Sequence, residues 1–308
     1  MKYYLLAGEA SGDLHGSNLI KVLKKLDPIA DMRCWGGEKM QEEGAELIKH
    51  YRDLAFMGFA EVVKNLPTIF KNINFCKNDI TAFKPDVIIL IDYPGFNLRI
   101  AKWAKEKGYK VVYYISPQVW AWKENRVNAI KKYVDKMLVI LPFEKDFYAK
   151  WNYEVDYVGH PLVEVVDEFI KIEKEKPATI PQTNKGVIAL LPGSRKQEIL
   201  KKLPVMLQVS KHFPDYSFIV AKAPGLEDDF YSGLLKDFTN VYAVTGKTYS
   251  ILYTAKAALV TSGTATLETA LFATPEIVCY KGSAISYQIA KRLIKIKFIS
   301  LVNLIMNK

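Results

Sequence analysis

Short strand-like runs rich in apolar residues recur along this chain, the clearest of them near-continuously apolar, and longer stretches whose apolar positions return every three or four residues lie between them. In the first half the runs fall at 3–7, 32–35, 87–91, 111–115, 137–140 and 156–158. A strand covered by helices on both faces needs apolar side chains on both, so the pattern predicts a buried parallel sheet. Amphipathic stretches at 16–26, 37–43, 69–83, 98–107 and 123–133 predict the crossover helices. The punctuation agrees. Pro85 breaks the chain before the run at 87, and Gly108 closes a helix with Lys105 and Lys107 near its C-terminal end.

From 171 to 185 the text turns to Lys, Glu, Pro, Thr and Asn, a composition that builds no core and predicts a boundary. Alternation then resumes, with strands expected at 187–191, 217–221, 241–244, 258–261 and 276–280 and helices at 198–212, 250–255 and 264–272. The expected fold is α/β, with two Rossmann-like domains at 1–170 and 186–308 whose parallel sheets face a central cleft.

With 308 residues, half of them apolar and a quarter charged, the chain has a globular composition and room for two cores. The first apolar run is short and flows into a glycine-rich stretch, unlike a secretory leader, and no window is apolar for the length of a membrane span. Cys34, Cys76 and Cys279 are too far apart for a disulfide framework or a metal motif, so a reducing cytoplasm is the expected setting. The net charge of +10 favours an anionic partner. Nucleic acid is not expected, because no zinc-finger, helix-turn-helix or RNA-binding signature accompanies the charge. From 281 to 308 there are six Lys or Arg and no Asp or Glu, alternating with Ile, Leu and Phe. That mixture suits an anionic lipid surface, and equally a helix packed on one face and solvated on the other.

Four places carry candidate chemistry. Gly8 to Gly16, behind the first strand, reads as a compact turn that puts Glu9, Asp13 and His15 where open α/β sheets bind ligands. Its spacing fits neither a dinucleotide fingerprint nor a P-loop, and a strained ordinary loop is the alternative. Asp92 ends a central apolar run, poorly placed for packing and well placed for a ligand. Gly193, Ser194 and Arg195 follow the first strand of the second half, where an open backbone, a hydroxyl and a guanidinium fork suit phosphate; a turn with a surface arginine would look the same. Ser262, Gly263 and Thr264 lead from a strand into a helix whose first N–H groups form an anion site, with Glu268 about one turn in. An acid there is also common for dipole reasons alone. His160 is the other histidine worth testing, while His50 and His212 receive no role; the four histidines lack ligand spacing and no Asp-x-Asp occurs, so no metal and no cofactor are expected.

Read in order, these segments resemble the lipid-A-disaccharide synthase family. The motifs are GEASGD at 8–13, MGFAEV at 57–62, IDYPGFN at 91–97, SPQVWAW at 116–122, LPFE at 141–144, GHPLV at 159–163, LPGSR at 191–195 and SGTATLE at 262–268. The resemblance implies a GT-B fold and an inverting sugar transfer from UDP-2,3-diacylglucosamine to the 6-hydroxyl of 2,3-diacylglucosamine 1-phosphate. It implies Asp92 as the base, with orienting a histidine or the loop as its competing role, and Glu9, Asp13 and His15 as helpers. Arg195, with Gly193 and Ser194, would hold the donor diphosphate along with Ser262, Gly263 and Thr264, and Glu268 the ribose. Asn303, in Ser300–Asn303, resembles a donor-site asparagine, although Val302 stands where the family has proline. The family often has Asp at the position of Gly95, and it continues beyond this chain's end, which leaves the second domain expected to be incomplete. An apolar stretch at 57–70 suits acyl chains, at about 0.8 kcal/mol per buried CH₂. Phospholipid at the inner face of the cytoplasmic membrane and a homodimer complete the expected partners. The rival readings are another GT-B UDP-sugar transferase, a UDP-N-acetylglucosamine epimerase, or a non-catalytic membrane-peripheral nucleotide-sugar-binding module.

Overall fold

The computed structural model describes residues 1–54, 66–183, 185–223, 226–281, 298 and 300–307. The motif at 57–62 and the basic stretch over 282–297 therefore lie outside the described residues. Two compact units make up the chain, Met1–Pro161 and Leu162–Lys308.

In unit 1 the strands are β1 (Lys2–Ala7), β2 (Asp31–Gly36), β3 (Glu46–His50), β4 (Val87–Ile91), β5 (Lys110–Tyr114), β6 (Lys136–Val139) and β7 (Asp156–Tyr157). They form one parallel sheet in the order β3-β2-β1-β4-β5-β6-β7. The helices are α1 (Ala10–Leu26), α2 (Glu38–Glu42), α3 (Leu66–Phe83), α4 (Pro94–Glu106), α5 (Val127–Tyr133) and α6 (Pro142–Ala149). All five residues of β4 are buried, as the unbroken apolar run requires. The apolar pattern does not announce β3: as an edge strand it pairs only with β2, and its polar residues are half-buried or exposed.

The first motif differs from expectation. Gly8 to Gly16 is not a compact turn along its length, because α1 already begins at Ala10. The glycines bring helix and sheet together: a Cβ on Gly16 would meet Met40 Sδ at 2.7 Å and Ile91 Cδ1 at 3.1 Å, and one on Gly12 would meet Ala7 Cβ at 3.0 Å.

Unit 2 opens with α7 (Leu162–Glu175), so the division falls before this helix and not after residue 170. The charged letters read as a linker are in part its solvated face. Phe169 stacks on Tyr249 and Phe272 with ring centres 5.4 and 5.9 Å away, and buried Glu173 accepts from Ser250 Oγ at 3.2 Å. The remaining elements are β8 (Val187–Leu191), α8 (Lys196–Ser210), β9 (Ser217–Ala221), α9 (Asp228–Leu235), β10 (Val241–Val244), α10 (Thr248–Thr254), β11 (Ala255–Thr261), α11 (Thr264–Leu271), β12 (Glu276–Cys279) and α12 (Leu301–Met306). The parallel sheet runs β10-β9-β8-β11-β12. Alternate residues of β8 serve two cores, Val187, Ala189 and Leu191 on one face and Ile188 and Leu190 on the other. Among the described residues no helix is long and apolar enough to cross a membrane.

Candidate functional site

Both sheets reverse their winding direction beside their first strand, and ligands of open α/β sheets bind at that switch. In unit 1 the reversal lies between β1 and β4, whose ends pair Ala7 with Ile91. The next residues are Gly8 and Asp92. Asp92 and Tyr93 are both left-handed, with φ of 43° and 48°. Strain of this kind persists only where the surroundings over-determine it. Here the Asp92 carbonyl accepts from Tyr113 Oη at 2.5 Å and Asn97 Nδ2 at 2.8 Å, and Tyr93 Oη donates to the Leu54 carbonyl at 3.0 Å. Tyr93 lies across Gly8 so closely that a Cβ there would sit 2.3 Å from its ring, so only glycine fits.

The backbone of Asp92 is thus fixed while its carboxyl keeps its chemistry. Burial first, and then the Glu9 carboxylate, push the Asp92 carboxyl up to about 7, against the backbone N–H of Tyr93, which pulls it down. Glu9 itself is exposed and stands at the start of α1 as its N-cap residue. Sequence reasoning puts Glu9 and Asp92 together, and the structure does the same.

Asp13 takes a different part from the one expected. It is buried, and its Oδ1 accepts the N–H groups of Gly37 at 2.7 Å and Met40 at 3.1 Å, with Lys39 N 3.3 Å from Oδ2. It caps the start of α2, so it acts on the turn after β2 and not as an open acid. His15 is buried, its Nδ1 has no hydrogen-bond partner, and its ring meets that of His160 edge-on at 6.0 Å. Burial, then the neighbouring His160, lower His15 to about 4, and burial lowers His160 to about 4.

The sign follows from proton binding. Below pH 6.5 the unfolded chain protonates both histidines while the folded chain leaves them neutral down to about 4. Stability is therefore expected to fall as pH drops through that window, by up to about 1.4 kcal/mol per pH unit for each histidine. Urea melts of the native protein and the His15→Gln, His160→Gln variant between pH 7 and 4.5 check this; equal slopes would refute it.

In unit 2 the switch lies between β8 and β11, which pair Leu191 with Val260. The loops that leave these two strands touch, because Thr261 Oγ1 donates to the Pro192 carbonyl at 3.3 Å. Gly193 has φ 118°, and a Cβ there would run into Glu198 Oε2 at 2.7 Å. Ser194 and Arg195 are exposed, and Arg195 Nη1 lies 3.3 Å from Glu198 Oε1 at the start of α8. No side chain caps α8 or α11, which leaves the N–H groups of their first turns without a side-chain acceptor. Gly263, at φ 152°, precedes α11, where Thr266 Oγ1 turns back to the Gly263 carbonyl at 2.8 Å. Asn303 lies on α12, which packs against α11.

Glu268 accepts from Tyr249 Oη at 3.0 Å, and burial raises its carboxyl while that hydrogen bond lowers it. Tyr249 lines a hollow of about 240 Å³ with Phe169, Gly246, Lys247, Thr248 and Ser250. The sequence gives no sign of this hollow, whose walls come from α7, the turn before α10 and the first turn of α10. Nor does it give a role to Glu144, the last residue of the LPFE motif, which is buried at the start of α6 and accepts from Leu141 N at 2.9 Å, Ile140 N at 3.2 Å and Trp120 Nε1 at 3.2 Å. A Ser or Thr three residues earlier would have flagged a cap, but Leu141 stands there.

The profile of one family, lipid-A-disaccharide synthetase, matches residues 3–308. Lipid-A-disaccharide synthase of Syntrophus aciditrophicus is 41% identical over 99% of this chain and 81% of its own length. The enzyme of Trichlorobacter lovleyi is 38% identical over 98% of this chain and 80% of its own. Among solved structures, the UDP-GlcNAc 2-epimerase of Neisseria meningitidis bound to UDP-GlcNAc superimposes with a TM-score of 0.67, covering 100% of this chain and 90% of that one. At 14% identity that likeness establishes the two-sheet, GT-B-like fold and nothing about the reaction. The match over residues 3–308 and identities of 38–41% over nearly the whole of this chain set the synthases apart from the epimerases, and the chain belongs to the lipid-A-disaccharide synthase family of glycosyltransferases.

Proposed function

We propose that the chain transfers 2,3-diacylglucosamine from its UDP derivative to the 6-hydroxyl of 2,3-diacylglucosamine 1-phosphate, releasing UDP and forming a β-1,6 disaccharide. The observation that carries this reading is the Asp92 carboxyl at the tip of β4, held by its own backbone and raised toward neutrality. A base poised near the working pH removes a hydroxyl proton most effectively. Glu9 stands beside it, and the neutral His15 has a free ring nitrogen to exchange a proton with the acceptor.

The donor belongs to unit 2 in this reading. Charge that develops on the leaving diphosphate is met by Arg195 and by the uncapped starts of α8 and α11, with Ser194, Ser262 and Thr264 alongside. Glu268 takes the ribose hydroxyls, and the hollow lined by Phe169 and Tyr249 takes the nucleoside. Asn303 joins the donor residues. No metal ion is needed, since backbone dipoles and one guanidinium supply the positive charge. The basic stretch beyond 281 and the apolar stretch at 57–70 attach the protein to anionic phospholipid on the inner face of the cytoplasmic membrane, and a homodimer is compatible with it.

The test is sugar transfer from labelled donor to acylated and unacylated acceptors. Transfer is expected with the acylated acceptor, and equal turnover of both would defeat the lipid assignment. Excess EDTA is expected to change the rate by no more than about twofold; strict dependence on magnesium would remove the metal-free reading.

A further inference from the structure

Two arginines of unit 1 differ from the other described arginines in their partners. Arg33, Arg52 and Arg195 each meet a carboxylate, whereas Arg99 and Arg126 meet none among the described residues. Arg126 Cζ instead lies 5.7 Å from the centre of the Trp122 ring, which Lys123 Nζ shares at 4.3 Å. Arg99 Cζ lies 5.9 Å from the Phe70 ring. Glu124, the nearest acid in sequence, is engaged by Trp151 Nε1 at 3.1 Å. Lys123 is left-handed at φ 57°, a strained backbone next to the Trp122 ring that its ammonium covers.

The position of this cluster gives it a meaning. Arg99 sits on α4, which starts two residues after Asp92, and α4 packs against α5, which Arg126 precedes. Tyr113, whose hydroxyl holds the Asp92 carbonyl, lies within electrostatic reach of Arg126, as does Arg99. Partial burial disfavours the Arg126 cation, Tyr113 favours it, and the like charge of Arg99 disfavours it; a bound anion would offset the burial and the repulsion. A guanidinium fork supported on an indole matches the oxygens of a phosphate better than it matches any neutral group.

We infer that Arg99 and Arg126, with Lys123, bind the phosphomonoester of the acceptor sugar and so set its hydroxyl toward Asp92. This rests on the acceptor being a sugar phosphate, as proposed above. The cluster then decides which end of the acceptor is held, and it separates phosphorylated from unphosphorylated sugars without touching the donor.

The experiment compares the native protein with the Arg99→Ala, Arg126→Ala double variant, using acceptors with and without the 1-phosphate at saturating donor. The preference for the phosphorylated acceptor in kcat/KM is expected to collapse by roughly 30-fold or more, mainly through KM, while Arg126→Lys keeps part of it. A preference that survives in the double variant overturns the inference. Binding is read independently of turnover by titrating glucosamine 1-phosphate against tryptophan fluorescence. A saturable change is expected in the native protein, absent in the double variant and in Trp122→Phe. If the native protein binds the phosphate in this way yet transfers no sugar, the site stands and the reading of the reaction falls; no Trp122-dependent change removes the site. Vesicles of phosphatidylcholine with phosphatidic acid should bind both proteins alike. Loss of vesicle binding in the double variant, with acceptor preference intact, would reassign the cluster to a lipid headgroup and overturn the inference.

Discussion

Asp92→Asn is expected to lower kcat by about a thousandfold, within the range that a positioned general base contributes, and to leave the KM for the UDP-sugar nearly unchanged. Asparagine is the informative replacement because Asn and Asp both tolerate the left-handed backbone found at φ 43°. The partners of the Asp92 carbonyl, Tyr113 and Asn97, are untouched by the change, so lost activity reports the carboxylate and not a lost turn. The base works deprotonated, and its folded value is about 7, so the native rate should rise with pH through that value and level above it. In the variant this limb disappears. Glu9→Gln removes the second cause of the elevation and should move the midpoint of the limb to lower pH. A normal rate in Asp92→Asn, or an unchanged limb, would assign the proton to another group.

Arg195→Ala is expected to cut kcat/KM about a hundredfold, the usual loss when one preorganised donor to a developing negative charge is removed. The side chain is half exposed, and its contact with Glu198 is an exposed i,i+3 pair, so little stability should go with it. A lysine at this position should recover only part of the rate, since a point charge cannot replace the fork. Calorimetry with UDP separates the outcomes: weaker UDP binding in step with the lost rate supports a diphosphate contact, and unchanged binding and rate would return Arg195 to the surface.

The sheets were legible because each central strand is covered on both faces and must be written in unbroken apolar letters, as Val87–Ile91 is. What escaped were elements whose partners lie on one side only. The edge strand Glu46–His50 carries polar residues, and the helix Leu162–Glu175 hides its apolar stripe among the charges of its solvated face. Asp92 was legible for a related reason, since an acid at the end of an apolar run has few structural uses. Asp13 looked the same in sequence and was not. Its partners are backbone N–H groups at Gly37, Lys39 and Met40, which carry no letter in the sequence to betray them. The glycines at 12 and 16 misled in the same way, because glycine marks close approach to a neighbour as readily as it marks a turn. Arg99 and Arg126 are ordinary surface letters until their lack of carboxylates becomes visible in three dimensions.

The Tyr93 ring over Gly8 makes the tips of the first and fourth strands a single unit of inheritance. A methyl group at position 8 is blocked while the ring remains, and the ring is held in place by its bond to Leu54. Neither residue can drift alone; a lineage that enlarges the first must already have given up the second. The carboxylate one residue before that ring would then lose the neighbour that fixes its turn, so variation at this corner is expected to move in coordinated pairs or not at all.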